Sequence, residues 1–201
     1  PDWNLINISR YHSMSLQYSR GCPFNCEFCD VVVLNGRIPR TKTKDQVIAE
    51  LDALYKLGWR EGLFFVDDNL IGNKYKLKKE ILPAIIEWQK SKKYPFTLNT
   101  QVSINLTDDE ELIKLMVDAG FTTVFIGIET TDEKSLEECA KFHNQNRDLV
   151  SAVKKLQNFG LEVQGGFIVG FDSDTPSIFQ KQIEFIQKSG IVTAMVGLLT
   201  A

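Results

Sequence analysis

The sequence lacks any apolar run of the length that a membrane helix requires. Its longest apolar runs, such as Leu63 to Val66, cover a few residues, whereas a helix that crosses a bilayer needs about 20. The residues from Pro1 onward also lack the basic start and the apolar stretch of a secretory signal. We therefore expect no transmembrane segment and a cytoplasmic location.

The chain also lacks an excess of charge of either sign. It has 23 Lys and Arg against 26 Asp and Glu among 201 residues, so its formal net charge is −3. Surfaces that bind nucleic acid are strongly basic, so we expect no nucleic-acid partner. One local basic cluster is interpreted as a solvated edge, with a phosphate or an electron-donor protein as the alternative contacts: Arg37, Arg40, Lys42 and Lys44.

Short apolar strands alternate with amphipathic helices along the whole chain. The strand starts are spaced by roughly 30 to 50 residues, the size of a strand–helix unit, so six units predict an α/β fold with an all-parallel sheet. Periodicity leaves open a flat doubly wound sheet and a partial (β/α)6 barrel. The predicted strands are 14–19, 63–66, 96–104, 123–128, 162–169 and 193–199, and the clearest helices are 43–57, 76–90, 133–140, 148–159 and 176–188.

Three local signals add detail to this pattern. Asn35-Gly36 predicts a tight turn between extended segments at 31–34 and 37–40. Thr107, with Glu110 three residues later, predicts a capping box at the start of a helix. Pro83 lies inside an apolar helical pattern and predicts a kink or a helix boundary.

Cysteine is scarce and unevenly placed. Three of the four cysteines, Cys22, Cys26 and Cys29, lie within eight residues, and clustered thiols without a disulfide framework indicate a metal site. Three thiols suit an iron–sulfur cube with one open corner, whereas a closed zinc site needs a fourth ligand. Zinc and a role without metal remain the alternatives. Cys139 is interpreted as a free thiol, and His12 and His143 are interpreted as structural or surface residues.

The cysteine segment has the spacing CX3CXΦC, with Phe28 as the apolar residue Φ. This pattern closely resembles that of the radical S-adenosylmethionine (SAM) enzymes, and the resemblance covers essentially the whole chain. It implies a [4Fe–4S] cluster on the three cysteines and SAM bound through its amine and carboxylate to the fourth iron. One electron would then cleave SAM and yield a 5′-deoxyadenosyl radical that abstracts a substrate hydrogen. The implied fold is a partial parallel (β/α)6 barrel, which favours the second architecture.

The resemblance also implies roles for residues that follow the strands. Asp67-Asp68-Asn69 replaces the family's Gly-Gly-Glu motif, so Asp67 or Asp68 is expected to bind the methionyl amine. Glu129 resembles the residue that binds the ribose or the methionyl group. Phe28 is expected to lie against the adenine.

Strand five carries a further match to the family. Gly166, Ile168 and Gly170 match the first part of the adenine-supporting motif G-x-I-x-G-x-x-E, although Ser173 stands at its acidic position. Gln101, on strand three, is expected to point into the barrel toward the ribose or the substrate.

Within the superfamily, the chain is most similar to the cobalamin-binding type, which includes hopanoid methylases. The phrases FVDDN at 65–69 and GFIVGFDSDT at 166–175 carry this similarity. It implies C-methylation with cobalamin held by a domain absent from this chain, so that 1–13 is a lead-in from that domain and a further part follows strand six.

The implied partners are a small-molecule or lipid substrate and a reductant protein such as flavodoxin or ferredoxin. A lipid substrate would associate the protein with a membrane surface. The alternatives are a methylthiotransferase or other cobalamin-independent radical enzyme, and a non-catalytic iron–sulfur electron-transfer or zinc-binding module.

Overall fold

The computed structural model describes residues 1–200, apart from the side chain of Asn4. Six strands form one parallel sheet, and β2 and β3 form a separate antiparallel pair beside it. The strands are β1 (Ser13–Leu16), β2 (Ser19–Arg20), β3 (Arg40–Thr41), β4 (Gly62–Phe65), β5 (Leu98–Val102), β6 (Phe121–Glu129), β7 (Glu162–Val169) and β8 (Thr193–Leu198).

The order of the strands in the six-stranded sheet, β1-β4-β5-β6-β7-β8, follows their order in the chain. A doubly wound sheet reverses direction next to its first strand, whereas this sheet always grows at the same edge, as a barrel does. Within the described residues β1 and β8 do not pair, so the barrel is open. The predicted partial (β/α)6 barrel is confirmed.

Helices connect successive strands of the sheet. A π-helical turn, Leu77–Ile81, joins α3 to α4, and four single 3₁₀ turns occur at Trp3–Leu5, Ile8–Arg10, Leu70–Asn73 and Ile104–Asp108. The helices are α1 (Val31–Asn35), α2 (Lys44–Lys56), α3 (Lys74–Lys76), α4 (Leu82–Ser91), α5 (Glu110–Asp118), α6 (Glu133–Glu138), α7 (Leu149–Asn158) and α8 (Ser177–Ser189).

The core lies between the sheet and these helices. On β5, Leu98, Thr100 and Val102 are buried, while Asn99 and Gln101 alternate with them and are half-buried. Because neighbouring side chains of a strand point to opposite faces, the two amides lie on the concave face. The strand β5 therefore presents two amides to the barrel interior and mainly apolar side chains to the helices.

The turn predicted at Asn35-Gly36 between two extended segments is wrong. Val31–Asn35 forms the helix α1, and Gly36 ends it with a φ of 80°, a conformation that favours glycine. The Asn-Gly signal thus marks a helix end, and the next extended residues pair with β2 instead.

The capping box predicted at Thr107 is also wrong. The Asp109 side chain caps α5 by accepting a hydrogen bond from the Leu112 N–H at 3.0 Å, and the Thr107 hydroxyl donates to the Ile104 carbonyl. Pro83 is the second residue of α4, which begins directly after the π-helical turn, and this confirms the predicted boundary.

The edge strand β8 is exposed along its whole length. Met195, Val196 and Leu198 are 58% to 71% exposed, in contrast to the central strands. Among the described residues, no helix combines the length and the apolar character needed to cross a bilayer.

We predict that Gln89→Leu lowers the free energy of unfolding by about 2 kcal/mol. The fully buried Gln89 amide donates to the Phe96 and Ala119 carbonyls, at 2.9 and 3.2 Å, and its loss leaves both without a donor. Urea denaturation of the metal-free protein measures the change. The exposed Gln180→Leu is the matched control, and equal midpoints for the two variants would contradict the role of Gln89.

Candidate active site

The strands of the sheet end on one side, and the side chains that follow them surround a cavity of about 380 Å³. Its wall is built from the segment after β2, the residues after β4, and the ends of β5 and β6. In parallel barrels the site lies at this edge. All three clustered cysteines, Cys22, Cys26 and Cys29, line this one cavity.

The cysteine segment is held by backbone contacts. The Cys22 N–H donates to the Gly36 carbonyl at 3.2 Å, and the Cys29 N–H donates to the Cys26 carbonyl at 3.1 Å. Gly21 has a φ of 103°, and a Cβ there would lie 2.8 Å from the Gly36 carbonyl oxygen. Only glycine therefore allows the end of α1 to pack this closely against the first cysteine.

The three thiols form a donor set suited to a cluster. Among the described residues, no group of three His, Cys, Asp or Glu is placed to hold a single metal ion. A [4Fe–4S] cube gives each cysteine its own iron, so it accepts thiols that stand too far apart for one ion. Cys139 is buried and lies outside this cavity, and its S–H donates to the Leu136 carbonyl at 3.7 Å.

Burial raises the pKa of the Cys22 and Cys26 thiols, that of Cys26 to about 11. The Lys141 ammonium opposes this effect at both thiols because a cation favours the thiolate. The Asn69 amide lies 4.0 Å from Cys22 Sγ and also lowers the pKa of that thiol. Burial outweighs both effects, so the pKa of each thiol stays above its usual value and a metal would bind in exchange for the thiol protons.

The two adjacent carboxylates, Asp67 and Asp68, lie in different environments. Asp67 is fully buried and accepts hydrogen bonds from the Tyr18 N–H, the Ser19 N–H and the Ser19 hydroxyl. Burial raises its pKa to about 6, although these hydrogen bonds lower it. Asp67 does not line the cavity, and its carboxylate instead accepts from the backbone and hydroxyl donors of Tyr18 and Ser19.

Asp68 lines the cavity and is half-buried. Its Oδ2 accepts from the Gly21 N–H at 3.0 Å and from the Asn35 amide at 3.2 Å. These contacts orient the carboxylate beside the cysteine segment. Of the two acids, Asp68 is the one placed to meet a cation in the cavity.

Glu129 ends β6 and forms a buried ion pair with Lys141 at 2.5 Å. Its backbone is left-handed, with a φ of 62°, so the side chain folds back over Gly127. A Cβ at Gly127 would collide with the Glu129 carboxylate and lie 2.8 Å from Lys141 Nζ. The glycine therefore makes room for the pair, and the Lys141 ammonium lies 5.6 Å from the Phe28 ring centroid.

Phe28 lies at the junction of this cavity and a second one of about 450 Å³. The second cavity is also lined by Gly170 and Phe171, and the Phe28 and Phe171 rings meet edge to face at 6.4 Å. The turn after β7 is held by the Asp174 carboxylate, which accepts from the Gly170 N–H at 2.8 Å. Asp174 thus supplies an acidic group one residue beyond Ser173.

The other expected residues of β7 act through packing. A Cβ at Gly166 would lie 2.7 Å from the ring of Phe125. The absence of a side chain at Gly166 therefore leaves room for this ring in the cavity wall. Ile168 lines neither cavity, and its carbonyl accepts from the buried Gln182 amide at 2.9 Å.

Gln101 lies between the cysteine cavity and a third cavity of about 560 Å³ in the barrel interior. The wall of the third cavity also includes Asn99, Phe125 and Gln164. The predicted inward orientation of Gln101 is thus observed, and the residue lines both the cysteine cavity and the third cavity.

Sequence reasoning missed two residues of the site. Lys141 lies on an irregular segment after α6, where no periodicity marks it, and His143 was interpreted as structural or surface. His143 lines the cysteine cavity and stacks on Phe24, with ring centroids 3.8 Å apart. Burial lowers the pKa of His143 to about 3, so its imidazole is neutral.

Curated relatives cover the full length of this chain. It is 47% identical over 201 residues to an uncharacterized methyltransferase of Synechocystis sp. and 40% identical to a hopanoid C-2 methylase of Rhodopseudomonas palustris. The chain spans 37% and 38% of the length of these two proteins.

Solved structures share the fold at low identity. The radical SAM methyltransferase TsrM from Kitasatospora setae, with tryptophan and a SAM analogue bound, is 16% identical and superposes with a TM-score of 0.83 over 95% of this chain and 36% of its own. The cobalamin-dependent SAM radical enzyme OxsB, with aqua-cobalamin and SAM bound, is 18% identical, with a TM-score of 0.72 over 94% of this chain and 28% of its own. The family model described as the Radical SAM superfamily matches residues 16–186, and the chain therefore belongs to this superfamily of enzymes.

Proposed function

We propose that this chain is the catalytic core of a radical SAM enzyme that methylates carbon with the help of cobalamin. The observation that carries the proposal is the convergence of three thiols and the charged groups Asp68, Glu129 and Lys141 on one cavity. A [4Fe–4S] cluster bound to Cys22, Cys26 and Cys29 would supply one electron to cleave the sulfonium of SAM.

The charges of the cavity complement those of the methionyl group. SAM carries an ammonium, a carboxylate and a sulfonium in its methionine part. We expect Asp68 to accept hydrogen bonds from the ammonium and the Lys141 cation to bind the carboxylate, because both residues line the cavity. Glu129 holds Lys141 in place through the 2.5 Å ion pair, so the two residues act together.

The second cavity suits the nucleoside part of SAM. It adjoins the cysteine cavity at Phe28, whose ring offers an apolar face to a base. Gly170 and Phe171 form the opposite side, and the Asp174 carboxylate fixes the turn that presents them. The adenine would therefore lie between the cysteine segment and the end of β7.

The methylation role rests on the relatives. Their names include a hopanoid C-2 methylase and an uncharacterized methyltransferase, and both proteins are more than twice as long as this chain. We place cobalamin in a segment of the protein outside 1–201, which leaves the radical chemistry to the residues described above.

Reconstitution under anaerobic conditions tests the radical SAM reaction. We expect the iron-loaded protein, once reduced with dithionite, to convert SAM into 5′-deoxyadenosine and methionine, measured by liquid chromatography. Cys26→Ala is expected to abolish the product because the cube loses one of three anchors. A protein that binds zinc and forms no 5′-deoxyadenosine would favour the non-catalytic module instead.

The pair Asp68→Asn and Asp67→Asn separates ligand binding from folding. We expect Asp68→Asn to weaken SAM binding by about 10-fold or more, since a charged hydrogen bond is worth roughly 1.5–3 kcal/mol. Asp67→Asn should instead lower the denaturation midpoint, because its three donors lose an anionic acceptor. Equilibrium dialysis and urea denaturation give the two readouts, and the reverse assignment of effects would refute the role of Asp68.

Lys141→Met tests the carboxylate contact. It leaves Glu129 buried without a partner, so both stability and SAM affinity should fall. The double variant Glu129→Gln/Lys141→Met removes the unpaired charge, and we expect it to recover stability but not SAM affinity. Recovery of both properties would show that Lys141 serves the fold alone.

A further inference from the structure

An exposed apolar patch lies beside the cysteine segment. Val33, Leu34 and Ile38 are 84%, 77% and 81% exposed, although their side chains are aliphatic. We call these three residues and the arginines around them, Arg20, Arg37 and Arg40, the α1 patch. Exposed apolar groups that are rimmed by charge mark interaction surfaces.

The arginines of the α1 patch are held close together without acidic partners. Arg20 on β2 and Arg40 on β3 are directly paired across the two strands, so their side chains point to the same face. Within residues 1–200 none of Arg20, Arg37 and Arg40 forms an ion pair, and the Arg20 guanidinium donates to the neutral Gln17 side chain at 2.7 Å. Like charges opposite each other are unfavourable, so this arrangement favours a negatively charged partner.

The charge of the patch is opposite to that of the chain as a whole. The net charge is −3, so three clustered arginines form a local positive field on a slightly acidic protein. Neighbouring Lys42 does not add to this field, because it is paired with Glu50 at 2.5 Å. A localised field of this kind steers an acidic partner to one orientation.

The segment that carries the patch also contacts the wall of the cysteine cavity. The Gly36 carbonyl, at the end of α1, accepts from the Cys22 N–H, and the Asn35 amide donates to Asp68 at 3.2 Å. A Cβ on Gly21 would touch the Asn35, Gly36 and Ile38 carbonyls. The backbone of the patch from Asn35 to Ile38 therefore packs directly against the backbone of the cysteine segment at Gly21 and Cys22.

We propose that the α1 patch is the docking surface for an acidic one-electron carrier protein, an inference that rests on the proposed function. On docking, the reduced flavin or iron–sulfur centre of the carrier would lose one electron, and a cluster held by the three cysteines would gain it. No covalent bond forms or breaks in this step. Transfer weakens steeply with distance, so the surface directly behind Cys22 is an effective entry point.

The location favours a protein over a lipid surface. The third cavity, in the barrel interior, adjoins the cysteine cavity at Gln101, so a substrate would approach from the barrel side. The α1 patch instead lies behind the cysteine segment, where a membrane would not meet the substrate path. A small apolar centre with a charged rim also fits the limited, transient interfaces of redox partners.

The test compares a protein donor with a chemical one in the reconstituted protein. The variants are Arg37→Glu/Arg40→Glu and Ile38→Asp, and the readouts are the rate of 5′-deoxyadenosine formation and the affinity of the protein for flavodoxin. With reduced flavodoxin we expect both variants to lose about 10-fold or more, and the wild-type rate to fall as salt rises. With dithionite, a small reductant, we expect rates within about 2-fold of wild type. Lys154→Glu and Val192→Asp, at exposed sites elsewhere, serve as matched controls.

Each other outcome identifies a different failure. Equal rates with flavodoxin for wild type and variants would overturn the docking proposal, and so would losses with both donors, which would show damage to the cluster. If the variants lose only their sedimentation with phosphatidylcholine–phosphatidylglycerol vesicles, the patch is a lipid contact. If the wild type forms no 5′-deoxyadenosine with either donor, the proposed function itself fails.

Discussion

The buried ion pair between Glu129 and Lys141 is the interaction on which the cavity depends. Two charges are costly to bury, and their mutual attraction repays that cost only when the geometry is good. Here the left-handed backbone at Glu129 and the missing side chain at Gly127 supply that geometry. The result is a fixed ammonium in the wall of the cysteine cavity, which opposes the effect of burial on the pKa of Cys22 and Cys26 and offers a cation to a carboxylate ligand.

The parallel barrel explains why these groups meet. Each strand ends at the same edge, so residues that are far apart in the chain, such as Cys22 and Glu129, line one cavity. Asp67 stabilises this edge from outside the cavity. Its carboxylate accepts hydrogen bonds from the Tyr18 and Ser19 N–H groups and so connects the end of β4 to the backbone that leads into the cysteine segment. Its neighbour Asp68 is thereby left facing the cavity. One carboxylate serves the fold, and the next is available to a ligand.

The features that could be predicted from the sequence are those determined by residues close together in the chain. The strand–helix alternation gave the six parallel strands, and the cysteine spacing gave the donor set. The division of labour between Asp67 and Asp68 was not predictable, because it depends on the Tyr18 and Ser19 N–H groups across the barrel edge.

Lys141 was missed for a similar reason. It reaches Glu129 from an irregular segment twelve residues further along, and no sequence pattern indicates that the two residues pair. The helix α1 was predicted as an extended segment because Asn35-Gly36 suits a hairpin turn and a helix end equally well. In each case the outcome is decided by contacts between distant parts of the chain.

Mössbauer spectroscopy of the ⁵⁷Fe-reconstituted protein, in wild type and in Cys139→Ala, is the most direct measurement of the central claim. Three cysteines that hold a [4Fe–4S] cube leave one iron for an outside ligand. The account predicts that SAM changes the signal of one iron and leaves the other three unaltered, equally in both proteins. Mössbauer signals of all four irons that do not change when SAM is added, or loss of the cluster in Cys139→Ala, would contradict it.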